Sequence, residues 1–126
     1  MNRSSLAVVV TSAPHNNFTA TAIDYLDSAL KQPNIDVLGV FFYQDGVLNA
    51  NTNIAMPNDE FQAIKEWKRL HEKYNLPLHL CITAAEKRGL SDGNELLDNN
   101  IAAHFLISGL GELVELTSKA DRLIQL

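Results

Sequence analysis

The chain has 126 residues, 46% of them hydrophobic and 20% charged, with a formal net charge of −5 and a single cysteine. These numbers fit one soluble globular domain, residues 1–126, built on one core. They argue against non-specific nucleic-acid binding, which needs a basic surface, and against a secreted disulfide scaffold, so that a reducing cytoplasm is expected.

The first element is Leu6-Ala7-Val8-Val9-Val10-Thr11, a run apolar on both faces that reads as a buried central strand. It is too short for a signal peptide, and no segment approaches the length of a membrane span. After the loop Ser12–Asn17, Asn17 is expected to cap a helix over Phe18–Lys31, with Ala22, Ile23, Leu26, Ala29 and Leu30 as its apolar stripe. Gln32-Pro33-Asn34 stops it. Ile35–Tyr43 reads as the second strand, and Gln44–Pro57 as a long Asn-rich loop with Asp45-Gly46 as its turn signal. Asn58 is expected to cap a helix over Asp59–Tyr74, its inner face carrying Phe61, Ile64, Trp67, Leu70, His71 and Tyr74.

Leu78–Cys81 is the third strand, followed by a short helix over Thr83–Arg88 closed by Gly89. Ser91–Asn94 reads as a turn, Glu95–Ala103 as a weakly patterned helix, and His104–Ile107 as an extended piece. Ser108-Gly109-Leu110-Gly111 leads into a last helix over Glu112–Lys119, and Asp121–Leu126 closes the chain as a strand. The alternation predicts an α/β three-layer sandwich: a mainly parallel five-stranded sheet with helices on both faces. The working site of such a sheet lies at the carboxyl ends of its strands. Thr11–Asn17, Gln44–Pro57, Cys81–Thr83 and Ser108–Gly111 are therefore expected at one edge.

Cys81 stands at that edge, where a strand ends and a helix begins. Two readings are open: a small core hydrophobe, or a reactive thiol whose ionised form is favoured by the amide hydrogens and positive end of the next helix. Lys87 and Arg88 sit at the far end of that helix and are expected to contribute little. His79, two residues back, shares a strand face with Cys81 and either packs near the surface or tunes the thiolate. His15, His71, His79 and His104 lack zinc-ligand spacing, so no metal site is expected. Gly-x-Gly-x-x-Gly, Walker and Gly-x-Ser-x-Gly patterns are missing, which leaves nucleotide binding and hydrolase chemistry without an anchor. Ser108-Gly109-Leu110-Gly111 fits an anion-binding turn or, more simply, a close-packed backbone turn. Tyr43, Val47 and Leu48 place apolar surface where the second strand leaves the sheet, covered either by the domain itself or by a partner.

Four segments in order carry a resemblance. They are Phe41-Phe42-Tyr43-Gln44-Asp45-Gly46-Val47 with Asn49-Ala50-Asn51; Cys81-Ile82-Thr83-Ala84-Ala85-Glu86-Lys87-Arg88-Gly89; Ser108-Gly109-Leu110-Gly111-Glu112-Leu113; and Asp121-Arg122-Leu123-Ile124-Gln125-Leu126. Together they resemble the DsrE/TusD sulfurtransferase family over nearly the whole chain. The resemblance implies a sulfur carrier whose functional cysteine falls on Cys81. It implies that sulfane sulfur is accepted as a persulfide from a TusA-like donor and passed to a TusE-like acceptor, for 2-thiolation of the tRNA wobble uridine. It further implies assembly with TusB-like and TusC-like subunits as a dimer of heterotrimers, with no cofactor, no direct nucleic-acid contact and no membrane. Two alternatives stand beside it: a DsrE-like carrier in dissimilatory sulfur oxidation, and a non-catalytic interaction subunit of the same fold. The chain departs from the family in its first loop, where Thr11-Ser12-Ala13-Pro14-His15-Asn16 replaces the glycines common there.

Overall fold

The computed structural model describes residues 3–93 and 98–126. Among the described residues five strands and four α-helices follow one another as β1 (Ser4–Val10), α1 (Asn17–Leu30), β2 (Ile35–Phe42), α2 (Ala63–Tyr74), β3 (Leu78–Cys81), α3 (Ile82–Glu86), β4 (Leu106–Ser108), α4 (Leu110–Lys119) and β5 (Arg122–Gln125). A 3-10 helix over Gln44–Ala50 stands between β2 and α2. The strands form one sheet in the order β4-β3-β2-β1-β5, every pair parallel. This is the expected three-layer α/β architecture.

The order fixes the layers. The crossovers from β1 to β2 and from β2 to β3 step in one direction, and the crossover from β4 to β5 steps back across the sheet. With right-handed connections, α1 and α2 must cover one face and α4 the other. Ring contacts agree: Phe42 meets Trp67 of α2 edge-to-face at 4.9 Å between centroids. His79, one register row over and on the opposite face, meets Glu112 of α4. Leu6–Val10 are all buried, as a strand walled on both faces requires. Trp67, Phe41 and Phe42 are the largest fully buried side chains, each contributing roughly 1.5–3 kcal/mol of transfer free energy.

Element boundaries depart from expectation where side chains recruit backbone groups. Asn16, not Asn17, caps α1: its backbone is extended and its Oδ1 accepts from Phe18 N–H at 2.9 Å. α2 begins at Ala63 rather than Asp59. A turn on Pro57 comes first, and Gln62 Nε2 donates to the carbonyls of Pro57 (2.7 Å) and Glu60 (3.1 Å). Phe61 consequently lies outside the helix and is 43% exposed. The Gln44–Pro57 loop is a 3-10 helix in its first half. Of the expected Glu95–Ala103 helix, residues 95–97 lie outside the described residues, and the rest is not helical. Ile101 forms an antiparallel bridge with Asn51, flanked by Thr52 N–H to Asn100 carbonyl at 2.9 Å and Ala102 N–H to Ala50 carbonyl at 2.8 Å. Among the described residues no helix is long and apolar enough to cross a membrane.

Candidate functional site

Three chain segments meet at the carboxyl edge of β2 and β3. The first is the end of β2. Tyr43 N–H donates to the Val10 carbonyl at 3.0 Å, which swings the chain over the end of β1. Gln44 then adopts φ +51°, the left-handed region that a non-glycine residue enters only at a cost of about 1–3 kcal/mol. The cause is packing two residues on. A Cβ on Gly46 would stand 2.0 Å from the Val10 carbonyl oxygen, so the 3-10 helix lies directly on the β1 backbone. Val47 is fully buried against the same core and Leu48 half-buried, so the domain itself covers this apolar surface. Buried Asn49 locks the arrangement. Its Nδ2 donates to the carbonyls of Ser12 (3.1 Å) and Gly46 (2.9 Å), and its Oδ1 accepts from Trp67 Nε1 at 2.9 Å.

The second segment is β3 with α3. Cys81 is the last strand residue and the N-cap of α3. Its sulfur makes no capping hydrogen bond, contrary to the expectation that amide hydrogens surround it. The reason is strand alternation: Cys81 follows His79 onto the face covered by α4. α3 is also only five residues long, so little dipole stands behind it. Cys81 is 1% exposed and packs in the main core cluster. It nevertheless lines a cavity of about 300 Å³ together with Tyr43, Gln44, Thr83, Ala84, Lys87, Arg88 and Leu110. The thiol is thus a core residue on one side and part of a cavity wall on the other.

The short helix brings Lys87 and Arg88 to the cavity, against expectation. Thr83 with Lys87 and Ala84 with Arg88 are i, i+4 pairs, so one turn carries both cations back over the cysteine. That spacing was readable in the sequence. Arg88 is committed elsewhere: its Nε donates to Asp45 Oδ1 at 2.9 Å and its Nη1 to the Ala84 carbonyl at 3.1 Å. It ties α3 to the 3-10 helix. Lys87 is exposed and makes no ion pair among the described residues.

The third segment is β4 with the start of α4. Cys81 pairs with Ser108, and His79 with Leu106. His79 Nδ1 stands 3.1 Å from Ser108 Oγ, and its Nε2 3.5 Å from Glu112 Oε1. Burial pushes the His79 imidazole below its ordinary value, opposed by the carboxylates of Glu112 and Glu115. His79 therefore shares the Cys81 face, as expected, and fastens β4 and α4 beside it. Gly109 is the extended N-cap of α4, and a Cβ on Gly109 or Gly111 would meet nothing within 4 Å. The glycine pair is open and not the close-packed turn expected.

The other candidates fall elsewhere. Pro14, His15 and Asn16 of the first loop line a separate cavity with Met56, Glu60 and Phe61. Thr11 joins Tyr43 and Gln44 in a groove beneath α4. His71 and His104 meet at 6.0 Å between ring centroids, their planes tilted by 37°. Among the described residues no group of three or more His, Cys, Asp or Glu gathers as metal ligands do.

Comparison with known proteins agrees with this architecture. The profile of the DsrE/DsrF-like family matches residues 4–126. Sulfurtransferase TusD of Klebsiella pneumoniae (strain 342) is 36% identical over 124 residues, which cover 94% of this chain and 97% of that protein. Sulfurtransferase TusD of Proteus mirabilis (strain HI4320) is 36% identical over 123 residues, 93% of this chain and 95% of that one. The crystal structure of the ychN protein from E. coli superposes with a TM-score of 0.74 over the whole of both chains at 22% identity, a likeness of fold.

Proposed function

The chain belongs to the DsrE/DsrF-like family, and from that premise we propose that it is a sulfurtransferase carrying sulfane sulfur as a persulfide on Cys81. Relatives named sulfurtransferase support the activity class. The single observation that carries the residue assignment is the cavity of about 300 Å³ with Cys81 in its wall. It is large enough for an added sulfur atom and the tip of a donor side chain, and it opens at the strand edge where α/β sheets work.

The transfer is two displacements at sulfur. The Cys81 thiolate attacks the outer sulfur of a donor persulfide. The Cys81–S bond forms, the donor's S–S bond breaks, and the donor leaves as a thiolate. In the second half an acceptor thiolate attacks the outer sulfur of Cys81–S–SH, and Cys81 leaves as thiolate. Electrons balance in each half, so no external oxidant or reductant enters. A lone cysteine suits this chemistry, because a second thiol nearby would resolve the persulfide into a disulfide. The donor is TusA-like and the acceptor TusE-like. The route leads to 2-thiolation of the tRNA wobble uridine, and TusB-like and TusC-like subunits complete the assembly.

Intact mass after incubation with a persulfide donor tests the carrier role. The wild-type chain is expected to gain one sulfur atom that reductant removes, and Cys81→Ser to gain none. A serine variant that still carries sulfur overturns the assignment and favours the non-catalytic interaction subunit.

A further inference from the structure

The cavity beside Cys81 holds a charge that the transfer chemistry does not yet use. It sits in a chain of net charge −5, where an uncommitted cation at a cavity wall is not the default. The charged and titratable groups around it are few. α3 supplies Lys87 and Arg88, the end of β2 supplies the Tyr43 phenol, and the 3-10 helix supplies Asp45, already bound to Arg88. α4 contributes only apolar Leu110 to the wall, its Glu112 being turned to His79. Lys87 is therefore the one ammonium lining the cavity, and it makes no ion pair among the described residues. The short α3 and the absence of a cap to the Cys81 sulfur leave the helix terminus as a weak source of positive potential.

Resting on the persulfide reading above, we propose that Lys87 is a positioning residue that holds the anionic outer sulfur of loaded Cys81. A hydropersulfide is a stronger acid than its parent thiol, so loading places a negative charge on the outer sulfur, one atom further into the cavity. The rest of the wall is Leu110, Ala84, neutral polar groups and Arg88, which is already paired with Asp45, so that charge meets no other free counter-ion among the described residues. The ammonium stabilises the loaded state. It also attracts donors whose transferable sulfur is itself anionic, such as inorganic polysulfide. With that donor the Cys81 thiolate bonds to the terminal sulfur, the adjacent S–S bond breaks, and a polysulfide one sulfur shorter leaves with two negative charges.

Inorganic polysulfide is the probe, applied to the wild-type chain, Lys87→Gln, Lys87→Arg, Lys87→Glu and Cys81→Ser. Two readouts are followed: the rate of one-sulfur mass gain, and the pH midpoint of the near-ultraviolet absorbance of the persulfide anion. Lys87→Gln is expected to load several-fold more slowly, with its midpoint raised by about one pH unit at low salt. Lys87→Arg restores both, Lys87→Glu moves both further, and added salt shrinks the difference. A glutamine variant matching wild type in rate and midpoint overturns the role of Lys87 while leaving sulfur on Cys81. Failure of the wild-type chain to gain sulfur overturns the carrier reading itself, and this proposal with it.

Discussion

At the scale of single residues, Asn49 does most to hold the site. One buried amide joins the first loop, the 3-10 helix and α2 through three hydrogen bonds. Replacing it by leucine strands the Trp67 indole N–H and takes a donor from the Gly46 and Ser12 carbonyls, the latter keeping Thr19 Oγ1 at 3.1 Å. Each buried unsatisfied group costs about 1–3 kcal/mol, so Asn49→Leu is expected to lose roughly 3 kcal/mol. The urea midpoint measures this, and a loss below about 1 kcal/mol would mean that water repairs the gap. Nothing local in the sequence announces such a residue. Ser12 lies 37 positions away and Trp67 lies 18, so Asn49 reads only as one asparagine in an Asn-rich stretch. Cys81 was legible for the opposite reason: its neighbours on both sides, a strand and a helix start, are its sequence neighbours. Its burial was one of two open readings and could not be decided locally, because Leu110 and Tyr43, which line the cavity with it, arrive from distant segments.

Elements show the same division between local and tertiary causes. β3 spans Leu78–Cys81 as its pattern predicts, since a short, mostly apolar run bounded by Pro77 and a helix start leaves little choice. The start of α2 and residues 98–103 depart from expectation where a glutamine side chain and the Asn51–Ile101 bridge override propensity. The 3-10 helix is the element on which the cavity most depends, because it carries Gln44 to the wall and Asp45 to the lining residue Arg88. Gly46→Ala tests it. The added methyl would meet backbone 2.0 Å away, and backbone cannot rotate aside. The helix must lift from β1, at a cost of about 1–3 kcal/mol. Sulfur loading on Cys81 is expected to fall in this variant even at temperatures where it remains folded. Unaltered loading in a folded Gly46→Ala chain would separate the element from the site. Asn16→Ala, at the far end of the same edge, removes the α1 cap for about 1 kcal/mol and is expected to leave loading unchanged.

Over the whole molecule, two half-buried histidines give the fold a direction of response to acid. His79 lies under α4 and binds β3 to β4, and His104 precedes β4 and meets the tilted Phe105 ring at 4.8 Å between centroids. Burial lowers both below the ordinary 6.5. For His79, Glu112 and Glu115 oppose the effect; for His104, His71 and Lys68 add to it and Glu72 opposes it. His104 Nε2 is buried without a hydrogen-bond partner among the described residues, so a proton there finds no acceptor among them. The unfolded chain takes up these protons first as pH falls. Stability is therefore full above about 6.5 and declines as pH drops from there towards the folded values, levelling off below them. The carboxylates act in a lower window. Asp27 is raised by burial but lowered more by Lys31 and Arg69, ending below its ordinary 3.8. Urea midpoints at pH 7.5, 6.5 and 5.5 are expected to decrease in that order. His104→Phe is expected to flatten part of the slope and His79→Gln much of the remainder. A wild-type midpoint equal at pH 7.5 and 5.5, or a slope unchanged in both variants, would refute the assignment. Because His79 sits on the strand that ends in Cys81 and clamps the β4–α4 wall, loading of wild type should decline through the same pH range more steeply than loading of His79→Gln.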